Sequence, residues 1–211
     1  MKFAFFSDIH GNLPALEIAL KESGKVEGYI ILGDVVNYGP WSNECVQLIE
    51  TLSGCTKIQG NHEEYFIQGT CDCENYLANK FFDHCYPKFK EVDLIQTYEK
   101  KTQFEDFTCT HTLESKYIFE DTDVTLGKNH IIGHSHRQYE TNRNGYKLIN
   151  PGSVGQNRKF INEINFMIYD TKRKKSDFRS VLYDVNTVIQ QMKKLDYPEV
   201  CLDYYRNKPC K

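Results

Sequence analysis

The opening of the chain restricts its fold more than any other stretch. Lys2 to Phe6 and Tyr29 to Leu32 are short apolar runs that end in Gly, Asp or Ser, the pattern of buried strands whose ends face a site. Between them, Leu13, Leu16, Ala19 and Leu20 fall on one helical face across Asn12 to Ser23. Asn12 can cap that helix, Pro14 sits in its first turn, and Gly24 ends it. Strand, helix, strand in this order favours a right-handed parallel unit.

A second helix is expected from about Ser42 to Leu52, followed by a strand at Thr56 to Gln59. Residues 64–104, rich in Tyr, Phe, Lys and Glu, read as helical with broken loops. Strands return at 107–110, 130–132, 146–149, 164–169 and 177–183; those between 145 and 183 are too close together for helical crossovers, so antiparallel hairpins are expected there. The charge run Asp170 to Ser176 reads as a solvated hairpin turn, Val185 to Leu195 as a last helix, and the tail to Lys211 stays unassigned.

Length and composition narrow the class. A chain of 211 residues fits one domain, 1–211, and 40% hydrophobic against 26% charged content with 6 Pro is that of an ordered protein rather than a linker. A net charge of −3 argues against general binding to nucleic-acid backbone. The apolar run at Met1 to Phe6 is too short for a signal-peptide core, and nothing approaches membrane-spanning length. The eight cysteines lack the spacing of a secreted disulfide framework, so reduced cytoplasmic thiols are expected. Cys71-Asp72-Cys73 is the one pair to weigh as a metal or redox site; with no second Cys/His pair at zinc-finger distance, it reads as a loop with two thiols. Self-association is left open.

Five of the seven histidines lie in four compact motifs at or after strand ends: Asp8-Ile9-His10, Gly60-Asn61-His62-Glu63, His111, and Gly133-His134-Ser135-His136. Gly33-Asp34 adds a carboxylate at another strand end. Alternation along a strand would let Asp8 and His10, and likewise His134 and His136, project to one side. Each motif alone is weak, but several segments converging on one sheet edge is the geometry a ligand site in an open sheet requires. Carboxylate, carboxamide and imidazole donors without thiolate suit Mn, Fe or Zn better than Ca or a structural zinc. Asp8, His10, Asp34, Asn61, His111, His134 and His136 are too many donors for one ion, whereas two divalent ions sharing Asp34 would use them all.

These motifs, with Gly33-Asp34-Val35-Val36-Asn37-Tyr38-Gly39-Pro40 and Asn150-Pro151-Gly152-Ser153-Val154-Gly155-Gln156, resemble in order those of the calcineurin-like metallophosphoesterases, in particular their small bacterial and archaeal phosphodiesterase branch. The resemblance runs from residue 3 to about residue 158. It implies an α/β four-layer sandwich, two mixed β-sheets face to face flanked by helices. It places Asp8, His10, Asp34 and His136 on one metal and Asp34, Asn61, His111 and His134 on the other, with Mn first among Mn, Fe, Zn and Ni. The activity it implies is hydrolysis of a small phosphodiester or phosphomonoester by metal-activated hydroxide, with Asp34 and His62 catalytic and His62 as general acid or hydrogen-bond donor at the leaving group.

Arg158, Tyr38 and Asn37 are the candidate substrate contacts. Arg158 would grip phosphate or lie on the surface; Tyr38 would stack on a substrate base or cover the rim. Two departures from the family pattern stand out. Protein Ser/Thr phosphatases of the superfamily carry an Asp-Arg pair where this chain has Asn37 and Tyr38, which argues against protein-phosphatase activity. Thr112 replaces the Gly that usually follows the His111 position. A scaffold that keeps the fold without catalysis, or a nuclease, are the rival readings. His84 and His130 are read as structural.

Overall fold

The computed structural model describes residues 1–211. The opening unit forms as expected: β1 (Lys2–Phe6), α1 (Leu13–Ser23) and β2 (Gly28–Ile31), with Phe3 to Phe6 in parallel register with Gly28 to Ile31. The Asn12 side chain caps α1 by accepting from the Ala15 N–H at 3.2 Å, Pro14 lies in the first turn, and Gly24 follows the last. After α2 (Ser42–Glu50), β3 (Cys55–Lys57) extends the parallel sheet beside β2. The middle of the chain gives α3 (Asn61–Gln68), α4 (Tyr76–Cys85), α5 (Val92–Gln96) and β4 (Lys101–Phe104). Then come β5 (Phe107–Thr110), β6 (Asn129–Ile131), β7 (Gln138–Arg143), β8 (Tyr146–Pro151), β9 (Glu163–Asp170), β10 (Lys175–Leu182), α6 (Asn186–Lys194) and α7 (Glu199–Arg206).

The strands form two mixed five-stranded sheets, β10-β9-β1-β2-β3 and β4-β5-β6-β8-β7. Their inner faces meet through Phe5, Ile30, Leu32 and Met167 from one sheet and Phe107, Cys109, Ile131 and Ile149 from the other, all buried. The helices cover the outer face of the first sheet, where Phe6 packs between Tyr29 and Phe166 with ring centroids 5.8 and 5.4 Å away. Burying such a ring is worth about 1.5–3 kcal/mol. Over the outer face of the second sheet lies the irregular segment 112–127, whose Ile118 and Leu126 pack on Ile132, Tyr139 and Leu148. The α/β sandwich of two facing mixed sheets with flanking helices is therefore as read, its last layer being this strap. No helix is long and apolar enough to cross a membrane.

The hairpin expectation needs correction. Of the three strands between 145 and 183 only β9 and β10 pair with each other as a hairpin; β8 instead forms its hairpin with the preceding β7 and lies parallel to β6 in the second sheet, and the chain crosses to the first sheet through residues 152–162. A short connection is compatible with a change of sheet because the two sheets stack face to face. The charge run does form the solvated β9–β10 turn, with the Asp170 carboxylate accepting the Lys172 and Arg173 N–H groups at 3.0 and 3.2 Å.

Candidate metal centre

The carboxyl ends of parallel strands from both sheets meet at one rim. Asp8 and His10 follow β1, Asp34 follows β2, Asn61 opens α3 after β3, His111 follows β5, and His134 and His136 follow β6. The alternation expected for Asp8/His10 and His134/His136 is not what aims them: all four, and Asp34, have positive φ, between 48 and 66°. Left-handed backbone costs a non-glycine residue about 1–3 kcal/mol. It persists here because neighbouring loops tie it down: the N–H groups of Asp8, His10 and Gly11 donate to the carbonyls of Gly33, Asp34 and Val35 at 3.0, 2.9 and 2.7 Å. Each turn thereby swings its donor inward.

Two groups of donors share one carboxylate. In the first, His136 Nε2 lies 3.3 Å from Asp8 Oδ1 and 3.3 Å from His10 Nε2, which is 3.8 Å from Asp34 Oδ2. In the second, His111 Nε2 lies 3.2 Å from Asp34 Oδ2, 3.1 Å from His134 Nδ1 and 3.2 Å from Asn61 Oδ1. The far ring nitrogens fix the tautomers. Nδ1 of His10 and His136 donates to the carbonyls of Val36 and Gln156 at 3.3 and 2.6 Å, which leaves each Nε2 an unprotonated acceptor facing the other; Nδ1 of His111 donates to Leu32 O at 2.6 Å, so a further proton on that ring sits on Nε2, toward Asp34. Lone pairs at such separations repel unless a cation lies among them, and buried Asp8 Oδ1 has no hydrogen-bond donor. The donors fit divalent metal ions, and three overlapping His/Asp groups have ligand atoms within 4.8 Å of one another.

Electrostatics show the same demand for positive charge. Burial, opposed by His111 and Ser7, pushes the Asp8 carboxyl up to about 7. Burial also acts against ionised Asp34, but the neighbouring His111 and His62 outweigh it and hold that carboxyl well below its usual range. The reciprocal holds at His111, where burial is overcome by Asp34 and the imidazole rises to about 10. His10 and His136 are pushed well down by burial, and His134 falls to about 3 through burial and the charge of His111. The His111 proton thus faces Asp34 Oδ2 at 3.2 Å, among the acceptors of the cluster.

Several residues with no assigned role in the sequence reading hold this arrangement. The buried Glu63 carboxylate accepts the N–H groups of Asp34, Val35 and Gly60 at 2.7 Å each and that of Val36 at 3.2 Å, pinning the turn that carries Asp34. Its signal was an acid three residues into a helix opened by Gly60, the position that reaches back to the N-terminal N–H groups. Ser7 Oγ and the His134 N–H donate to Asp8 Oδ2 at 2.7 and 3.1 Å. A Cβ on Gly60 would lie 2.1 Å from Asp34 Oδ1, and one on Gly133 would lie 1.9 Å from Ser7 Oγ, so both positions need glycine for close approach. The 150–156 loop closes the rim from below: Asn150 Nδ2 donates to Gly133 O at 2.7 Å and Ser153 Oγ to Asp8 O at 2.7 Å.

A cleft of about 620 Å³ opens onto the cluster, with His62, Tyr65, Tyr117 and Arg158 on its walls. Arg158 has no carboxylate partner; its guanidinium sits 4.8 Å from the Tyr117 ring centroid, and Tyr117 in turn stacks on His134 at 4.2 Å. Tyr117, 45% exposed, lies in the 112–127 strap and carries no sequence signal that would have found it. Tyr38 lines the cleft but is only 6% exposed, wedged against His10, His62, Phe81 and Tyr204, so it forms wall and not a free stacking platform. Asn37, read as a substrate contact, is placed elsewhere: it is fully buried, with its amide nitrogen 3.0 Å from His62 Nδ1. Thr112 follows His111 without positive φ, so no glycine is needed there. His84 packs on Tyr197 and His130 lies within β6, both outside the cluster.

A family model, the calcineurin-like phosphoesterase superfamily domain, matches residues 1–174. The chain belongs to that superfamily. An uncharacterized protein of Methanocaldococcus jannaschii is 31% identical over 233 aligned residues, covering 93% of each chain. Phosphodiesterase YfcE of Escherichia coli K12 is 31% identical over 161 residues, 73% of this phosphoesterase-family chain and 79% of that one. The crystal structure of a metallophosphoesterase from Sphaerobacter thermophilus superposes with a TM-score of 0.81 at 23% identity, covering 98% and 99% of the two chains, which shows the shared fold.

Proposed function

We propose that the protein hydrolyses small phosphate esters, phosphodiesters foremost, with two divalent ions held by the rim donors and shared at Asp34. The observation that carries this reading is the Asp34 carboxylate, whose Oδ2 faces His10 at 3.8 Å and His111 at 3.2 Å and so lies between two histidine-bearing groups. Asp8, His10, Asp34 and His136 would hold one ion; Asp34, Asn61, His111 and His134 would hold the other, with Mn the first candidate and Fe, Zn or Ni alternatives. When bound, such a pair lowers the pKa of water and neutralises phosphate charge. The 31% identical phosphodiesterase supports a diester substrate.

The chain's own groups supply the rest. Arg158, unpaired on the cleft wall, presents a planar fork to phosphate oxygens. Asn37 Nδ2 donates to His62 Nδ1, which puts the ring hydrogen on Nε2, and burial keeps the imidazole neutral by lowering its pKa. A neutral Nε2–H acts as a hydrogen-bond donor to the leaving oxygen, stabilising charge that develops in the transition state. Asn37 thus orients the histidine from the position where protein phosphatases carry Asp. Glu64 and Glu114 on the cleft walls are paired with Lys100 and Lys116 at 2.6 and 2.7 Å and Glu74 adds negative charge, so Arg158 is the one cleft cation without a carboxylate partner, which favours a small ester over a long polyanion.

The test is chelator-stripped protein assayed on aryl phosphate mono- and diesters before and after adding Mn. Restored hydrolysis, fastest on the diester, supports the reading. No metal-dependent hydrolysis across the panel would remove it.

A further inference from the structure

Cys71 and Cys73 are the only cysteines whose sulfurs touch. Their Sγ atoms lie 3.2 Å apart, both half-buried, in the irregular segment between α3 and α4. Cys73 lies on the cleft wall with Tyr65, Asn75 and Ala78. From these placements we propose that Cys71 and Cys73 form a reversible disulfide that reshapes this wall of the cleft.

Closing the bond to a normal S–S length of about 2.05 Å takes an approach of about 1 Å. The segment can supply it, because residues 70–75 belong to neither helix nor strand and no ladder bond has to break. Its local ties are few: the Thr70 N–H donates to Tyr65 O at 3.2 Å, Thr70 Oγ1 to Asp72 Oδ1 at 2.9 Å and Asn79 Nδ2 to Cys73 O at 2.8 Å, while Cys73 Sγ makes only long contacts to Asn79 Oδ1 and Asn75 O at 3.6 and 3.8 Å. Asn75 Oδ1 caps α4 by accepting from Leu77 and Ala78 at 3.0 and 3.2 Å, so a shift of Cys73 acts against a fixed point two residues away. Cys73 lines the cleft and Cys71 does not, so Cys73 is the sulfur that meets a reagent first, and Cys71, 3.2 Å behind it, is placed to resolve the mixed disulfide.

The oxidant is a low-molecular-weight disulfide such as oxidised glutathione. Cys73, as thiolate, attacks one sulfur of the reagent, its S–S bond breaks, and one thiolate leaves. The Cys71 sulfur then attacks Cys73 in the mixed disulfide and expels the second thiolate. The two protons lost by the protein thiols end on the two released small thiols. The protein is oxidised by two electrons and the reagent is reduced by two.

The experiment treats the whole protein with oxidised glutathione and follows intact mass and peptide maps. The expected result is loss of two hydrogen atoms, mapped to a Cys71–Cys73 bridge, reversed by dithiothreitol and absent from a Cys71→Ser/Cys73→Ser variant. A persistent glutathione adduct on Cys73, a bridge elsewhere or an unchanged mass would overturn the proposal. In the assay, which rests on the phosphoesterase reading, oxidation should shift KM for a bulky diester in the wild type and not in the double variant. An unshifted KM overturns the link to the cleft. The mass readout needs no activity, so its failure and that of the hydrolase reading stay separate, and wild-type maps suffice if the variant does not fold.

Discussion

His62 faces two chemical fates that its surroundings separate. With His10 and Asp34 it forms one of the groups able to hold a metal, yet Asn37 binds its Nδ1 at 3.0 Å and aligns the ring for donation. If donation is its role, His62→Ala should lower kcat roughly 10²- to 10⁴-fold. Metal content, measured by elemental analysis, should stay at the wild-type level; parallel loss of metal and turnover would make His62 a ligand instead. Ion uptake should also be coupled to protons. His111, raised to about 10 against the opposing effect of burial by Asp34, carries a proton at neutral pH that a metal must displace. Asp8, pushed to about 7 by burial, adds a second competitor as the pH falls. Affinity should therefore weaken toward acid and strengthen toward base, and a chelator competition series across neutral pH that came out flat would contradict this.

Among the elements, the turn into α3 concentrates the constraint. Gly60 has φ −96°, which any residue tolerates, so the need for glycine there is steric and comes from Asp34 Oδ1 at 2.1 Å from a Cβ. Gly60→Ala should leave far-UV circular dichroism near that of the wild type while metal content falls, because the displaced group is the shared carboxylate. Wild-type metal content in that variant would show that the turn can yield. The elements the sequence hid share a physical character. β4 and β7 are the two edges of the second sheet, where one strand side lacks a partner and polar residues are tolerated, so Lys-Thr-Gln-Phe and Gln-Tyr-Glu-Thr-Asn-Arg show no apolar run. Short α7 buries only Cys201, Leu202 and Tyr205 against the helical layer, too brief a pattern to separate from a tail.

At the scale of the molecule, the site joins two sheets whose facing sides otherwise meet mainly through apolar side chains, with Gln138 of β7 also donating to Phe166 O and Arg179 O at 3.0 and 3.1 Å. Asp8, His10 and Asp34 come from the first sheet, and His111, His134 and His136 from the second. Bound ions would bridge them, so metal should raise the thermal midpoint, with stabilisation of about 2.7 kcal/mol when free metal is one hundred times Kd. Scanning calorimetry with metal and with chelator measures it, and coincident midpoints would argue against a bridging site. The sequence by itself determined the strand-helix-strand opening, the donor residues and their order, because apolar periodicity and residue chemistry are local properties. It could not determine how those donors are aimed. Positive φ at Asp8, His10, Asp34, His134 and His136, the crossing from β8 to β9, the place of Asn37 behind His62 and of Tyr117 against His134 all depend on hydrogen bonds and packing between segments far apart in the chain. Only the assembled sheets supply those contacts.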